Sequence, residues 1–90
     1  MSATAHALSP REIIAAAVRA ARYDRPPDPA LASGIARGAD VPFDTLGFDS
    51  LAWMEFCISV ELESELELTP SIVAGMGSLA EIEAWLAARL

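Results

Sequence analysis

The sequence predicts an all-α fold: three principal helices, one short helix and a long first loop. Three observations predict it. Alanine and leucine dominate a chain that is 53% hydrophobic, and β-branched residues are sparse, which favours helix over strand. "SPRE", "TPSI" and "SLAE" each place a hydroxyl residue where a helix needs an N-cap. Behind the first and last of these caps, apolar residues recur at helical spacing. Ninety residues suggest one domain. Residues 1–8 read as a disordered lead and residues 9–90 as the domain.

Each element follows from local signals. Ser9 caps the first helix, Pro10 opens it and Glu12 completes a capping box. Ile13, Ile14, Ala17, Val18 and Ala21 form its apolar face, and Pro26 and Pro27 stop it near Tyr23. Residues 24–48 carry five of the chain's prolines and glycines before Pro42 and Gly47 close the segment, Pro26, Pro27, Pro29, Gly34 and Gly38. They read as a connection long enough to be functional, with room for a turn of helix at residues 29–35. Leu31, Ile35, Val41, Phe43 and Leu46 pin it to the helices. Asp49 caps the second principal helix, which runs to about Leu66. Thr69 caps a short helix from Pro70 that stops by Gly75 or Gly77. Ser78 and Glu81 form a capping box for the last helix, whose stripe is Leu79, Ile82, Trp85 and Leu86.

The net charge of −7 is unevenly spread. Between Arg37 and Arg89 there is no basic residue, while that span holds Asp40, Asp44, Asp49, Glu55, Glu61, Glu63, Glu65, Glu67, Glu81 and Glu83. Nucleic acid and anionic membrane surfaces are excluded as partners, because phosphate needs cations. Basic protein partners are attracted and steered. No apolar run spans a bilayer, the N-terminus lacks a signal-peptide pattern, and the single Cys57 suits a reducing, cytoplasmic setting.

The second principal helix has two apolar stripes. Trp53, Phe56, Cys57 and Val60 form one; Leu51, Met54, Ile58 and Leu62 form the other, edged by Glu55, Glu61 and Glu65. Either both are buried, or the first is core and the second is a docking surface. Exposed aliphatics and methionine among carboxylates suit weak, repeated docking on basic partners.

The stretch "LGFDSL", residues 46–51, sets Ser50 at the start of this helix. A serine nucleophile needs a base, and the only histidine is His6 in the lead; no "GxSxG" elbow is present. One His and one Cys make no zinc site, and calcium-loop spacing is absent, so no metal is expected. Two readings remain. Asp49 and Ser50 are only a cap, or the hydroxyl carries a phosphodiester, which free N–H groups and the helix dipole favour.

The longer string "FDTLGFDSLAWMEFCISVELESELELTP" resembles the acyl carrier protein family, the phosphopantetheine-binding carriers of fatty-acid, polyketide and nonribosomal-peptide pathways. Leu46, Gly47, Asp49, Ser50 and Leu51 match its Leu-Gly-x-Asp-Ser-Leu core, and the order of elements matches over the whole chain. The resemblance implies a four-helix carrier bundle with 4′-phosphopantetheine on Ser50, Asp49 and Leu51 beside it, and the second principal helix as recognition helix. It implies that Leu51, Met54, Glu55, Ile58, Glu61 and Leu62 contact partner enzymes. A phosphopantetheinyl transferase installs the arm from coenzyme A, and the thiol carries acyl or aminoacyl thioesters. The carrier itself has no catalytic residues. Phe48 fills the variable position, where a bulky ring shapes the start of the arm. Core packing is the default for Trp53, Phe56 and Trp85. The two on the recognition helix either fill the space where some carriers hide cargo or wall a pocket for an unusual one.

The chain's bounds at Met1 and Leu90 read as a discrete carrier, expected to be a monomer, while its basic first helix, its lack of lysine and "LGFDSL" resemble carriers of polyketide or nonribosomal-peptide biosynthesis. Its expected partners are a loading enzyme and ketosynthase, acyltransferase or condensation enzymes. A fatty-acid carrier and an unmodified carrier-like acidic interaction module are the alternatives.

Overall fold

The computed structural model describes residues 8–90, so residues 1–7 of the expected lead, with His6, lie outside the described residues. Five helices follow in order: α1 (Pro10–Ala21), α2 (Pro29–Ala36), α3 (Ser50–Ser64), α4 (Pro70–Val73) and α5 (Leu79–Arg89). A 3-10 turn, Phe43–Thr45, precedes α3. The all-helical bundle is as expected. The long connection differs from expectation, because the possible turn at 29–35 is an eight-residue helix. Asp28 caps it by accepting from the Leu31 N–H at 3.0 Å, and Pro29 presets its first turn.

The caps at three other starts act as read. At α1 the Glu12 N–H donates to Ser9 Oγ (3.1 Å), and the Ser9 N–H donates to Glu12 Oε1 (2.7 Å). Asp49 Oδ1 accepts from the Ala52 N–H at 2.8 Å, and Thr69 Oγ1 from the Ile72 N–H at 3.2 Å. The box expected at α5 does not form. Ser78 makes no side-chain cap bond, and Glu81 Oε2 accepts from the Gly77 N–H instead. Asp40 takes the cap's place from the loop, with Oδ1 accepting from the Ala80 N–H at 3.3 Å. The Leu79 N–H donates to Val41 O and the Phe43 N–H to Gly77 O, both at 2.9 Å, so the loop is laced along the start of α5.

α3 ends sooner than the expected Leu66. Glu65 takes a left-handed φ of 62°, and the Ser64 hydroxyl donates to Val60 O and accepts the Leu66 N–H. Glu61, Leu62 and Glu63 thus form an exposed last turn, and the chain leaves the helix at Glu65 and brings Leu68 into the core.

The core lies where α1 packs against α3, with α2 and α5 against the sides of α1. All five residues of the expected α1 face are buried. Phe56, Val60, Leu79, Ile82 and Leu86 are sealed completely. Trp85 is half-buried, and the Arg89 guanidinium lies over its ring at 4.3 Å.

Candidate functional site

α3 resolves the question of its two stripes. Phe56, Cys57 and Val60 are buried, while Leu51, Met54, Ile58 and Leu62 are 59%, 52%, 54% and 75% exposed. A helix that keeps four large aliphatics in water along one side has an unpartnered face. Glu61 is exposed beside it and Glu55 is half-buried. Among the described residues the one ion pair joins Arg11 and Glu83, so these carboxylates keep their field outward.

Ser50 opens α3 at the end of this face and is exposed. The cap bond comes from Asp49 alone; the Ser50 hydroxyl makes no hydrogen bond among the described residues. Capping therefore does not account for the serine. The Ala52 and Trp53 N–H groups are taken by Asp49 Oδ1 and Asp49 O, which leaves those of Ser50 and Leu51 to meet an anion at the positive end of the helix. An exposed hydroxyl with two open donors beside it fits a phosphodiester.

The segment before Ser50 is held from both sides. Leu46 is buried at 1% exposure. Gly47 has φ +65°, a left-handed conformation that favours glycine. Arg25 donates to Leu46 O (3.4 Å) and Gly47 O (2.9 Å). Phe48, in the variable position two residues before Ser50, turns its ring inward. Its ring meets Trp53 at 4.9 Å and Phe56 at 6.0 Å. Trp53 also meets Phe43 at 4.7 Å and Phe56 at 5.4 Å, edge to face.

This aromatic group divides two roles the sequence left open. Phe56 is fully buried and fills the interior, while half-buried Trp53 walls an apolar hollow of about 470 Å³ beside Ser50. Phe43, Met54, Val73 and Met76 line it as well. A larger hollow of about 580 Å³ lies between α1, the loop after it and α2; Ser50 is not in its wall.

Cys57 is buried, and desolvation pushes its thiol above the usual range, so it is a packing residue and a poor nucleophile. Among the described residues no group of three metal-ligating side chains comes together, and no helix is long and apolar enough to cross a membrane.

Residues 31–86, well over half of the chain, match the family model described as phosphopantetheine attachment site. The chain belongs to the phosphopantetheine-attachment family. Its domain is the attachment site for covalently bound 4′-phosphopantetheine, and it is a carrier domain. No curated protein and no solved structure matches the chain at a significant level. As in the family at large, such a carrier works with phosphopantetheinyl transferases and biosynthetic enzymes.

Sequence reasoning missed three parts of this candidate site. Arg25 reads in the sequence only as part of the proline-rich connection. Val73 and Met76 reach the hollow from around α4, and Phe43 reaches it from the 3-10 turn. No local signal marks any of them, because each comes to Ser50 through the path of a loop.

Proposed function

We propose that this protein is a non-catalytic acyl or aminoacyl carrier whose arm is attached through Ser50, within a single carrier domain of residues 9–90. The observation that carries the reading is an exposed Ser50 hydroxyl, unused by the cap, at the head of an exposed apolar and acidic helix face. The bound arm supplies a thiol that holds cargo as a thioester. The chain's residues do the rest. The Ser50 and Leu51 N–H groups meet the phosphodiester oxygens. Asp49 keeps α3 capped up to the point of attachment. Leu51, Met54, Ile58 and Leu62 dock on partner enzymes, and Glu55 and Glu61 steer basic rims toward them. Tethering raises the cargo's effective concentration at each partner site.

The favoured setting is polyketide or nonribosomal-peptide biosynthesis in the cytoplasm, with a monomeric carrier serving a loading enzyme and ketosynthase, acyltransferase or condensation enzymes. The lack of lysine and the basic first helix support it over a fatty-acid carrier. The hollow beside Ser50 supports a cargo that rests against Trp53 and the methionines and stays out of the sealed interior.

The test is the intact mass after incubation with coenzyme A and a broad-specificity phosphopantetheinyl transferase. The parent gains one phosphopantetheine and Ser50→Ala gains none. No gain in the parent with several transferases leaves an unmodified acidic interaction module.

A further inference from the structure

We propose that Arg25 is a positioning residue for the modification of Ser50, its guanidinium holding the turn that presents the serine. The proposal rests on the reading of Ser50 as the attachment residue.

The chain must pass from buried Leu46 to the first turn of α3 within three residues. One end of that passage is anchored by Leu46 and the other by the Asp49 cap. Between them Gly47 takes its left-handed φ of +65°. Among the described residues neither Leu46 O nor Gly47 O accepts a backbone N–H. Both accept from Arg25 instead, Nη1 at 3.4 Å and Nη2 at 2.9 Å. One planar fork thus spans two successive carbonyls, a match that an ammonium group cannot reproduce. A Cβ built on Gly47 would stand 3.4 Å from Arg25 Nη1, so the guanidinium lies against the side that glycine leaves open.

Arg25 is itself placed by its loop. Its N–H donates to Arg22 O at 3.0 Å, and the Arg22 guanidinium reaches Pro26 O at 3.4 Å. The loop after α1 is thereby tied to the turn before α3 across 22 residues. Arg25 is exposed, so its removal leaves the core untouched.

A loosened turn leaves the α3 docking face intact but lets the Ser50 hydroxyl wander from the attack geometry. Small misplacement of a reacting group lowers turnover far more than binding. A purely electrostatic role predicts the opposite sign, because removing a cation from this acidic carrier favours docking on a basic transferase.

The experiment measures kcat and KM for the carrier in transferase-catalysed labelling, read by intact mass, for the parent, Arg25→Ala and Arg25→Lys. Backbone ¹⁵N order parameters at Gly47, Phe48 and Asp49 are measured on the same samples. Arg25→Ala is expected to lower kcat about tenfold with KM within about twofold of the parent, and to lower the order parameters of the turn while the helices stay rigid. Arg25→Lys, which keeps the charge and loses the fork, is expected to fall nearly as far. Labelling of Arg25→Ala at the parental rate or faster, a loss confined to KM, or a parental rate in Arg25→Lys overturns the proposal. An unlabelled parent overturns the underlying reading of Ser50. The order parameters then still decide the clamp, which an equally rigid turn in Arg25→Ala overturns.

Discussion

Arg11 and Glu83 join the first and last helices of the described chain, 72 residues apart, with Arg11 Nε donating to Glu83 Oε1 at 3.1 Å and Nη2 to the same oxygen. Arg11 Nη1 also donates to Ala39 O at 2.9 Å. One mostly buried guanidinium therefore fastens α1, α5 and the loop before the 3-10 turn. Arg11→Ala is expected to lower stability by about 1–2 kcal/mol in urea unfolding, since it strips a part-buried carbonyl and a carboxylate of their donor. Glu83→Gln is expected to lose less, because Glu83 is partly exposed and water screens the pair.

The two stripes of α3 separate docking from folding. Phe56→Ala is expected to cost about 3–5 kcal/mol, the range for deleting a sealed aromatic side chain. Met54→Glu and Ile58→Glu are expected to stay within about 0.5 kcal/mol of the parent, as exposed substitutions do, while slowing cargo transfer to a partner enzyme. Parallel unfolding curves and transfer assays check this. Equal losses in both would place the exposed stripe in a folding role.

Salt is expected to slow that transfer. The carboxylates of Glu55 and Glu61 have no basic partner among the described residues, so their steering field is open to screening. The rate measured from low to high ionic strength should fall, and more shallowly in a Glu55→Gln, Glu61→Gln variant. A rate that ignores salt removes steering from the mechanism.

Gly47→Ala tests the turn from the other partner. A side chain at φ +65° is strained, and its Cβ would lie in van der Waals contact with the Arg25 guanidinium, 3.4 Å from Nη1. Stability is expected to fall by about 1 kcal/mol, with slower labelling of Ser50. Thermal unfolding and intact mass report the two effects separately.

Cys57 is expected to alkylate far more slowly in the folded protein than in urea at neutral pH, because burial disfavours its thiolate. The pH dependence has a definite sign. The folded thiol ionises above the ordinary value of 9.0, so the unfolded chain loses its proton first, and this group's effect is to lower stability as pH rises through 9.0 and beyond. Mass spectrometry of alkylated protein across pH checks both statements.

Much of this carrier was determined by sequence alone because the signals are short-range. A cap and the N–H it satisfies lie three residues apart, so Ser9, Asp49 and Thr69 announce their helices without help. Helical periodicity sorts Phe56 from Met54 by angle, so the two stripes of α3 were legible, while the exposure of the second came only with the fold. Ser50 at the helix head followed from the same local order.

Tertiary structure decided what depends on the path of the connection from α1 to α3. Ser78 has the right neighbours for a cap, yet Asp40 supplies the bond, because the loop lies along α5 and brings a carboxylate to the Ala80 N–H. Arg25 reaches the turn before Ser50, and Phe43 and Met76 reach the hollow beside it, by chain paths that helical spacing does not encode. Spacing along a chain encodes contacts within a few turns of helix. Contacts between distant segments are set by how the buried faces pack, and that is a property of the whole fold.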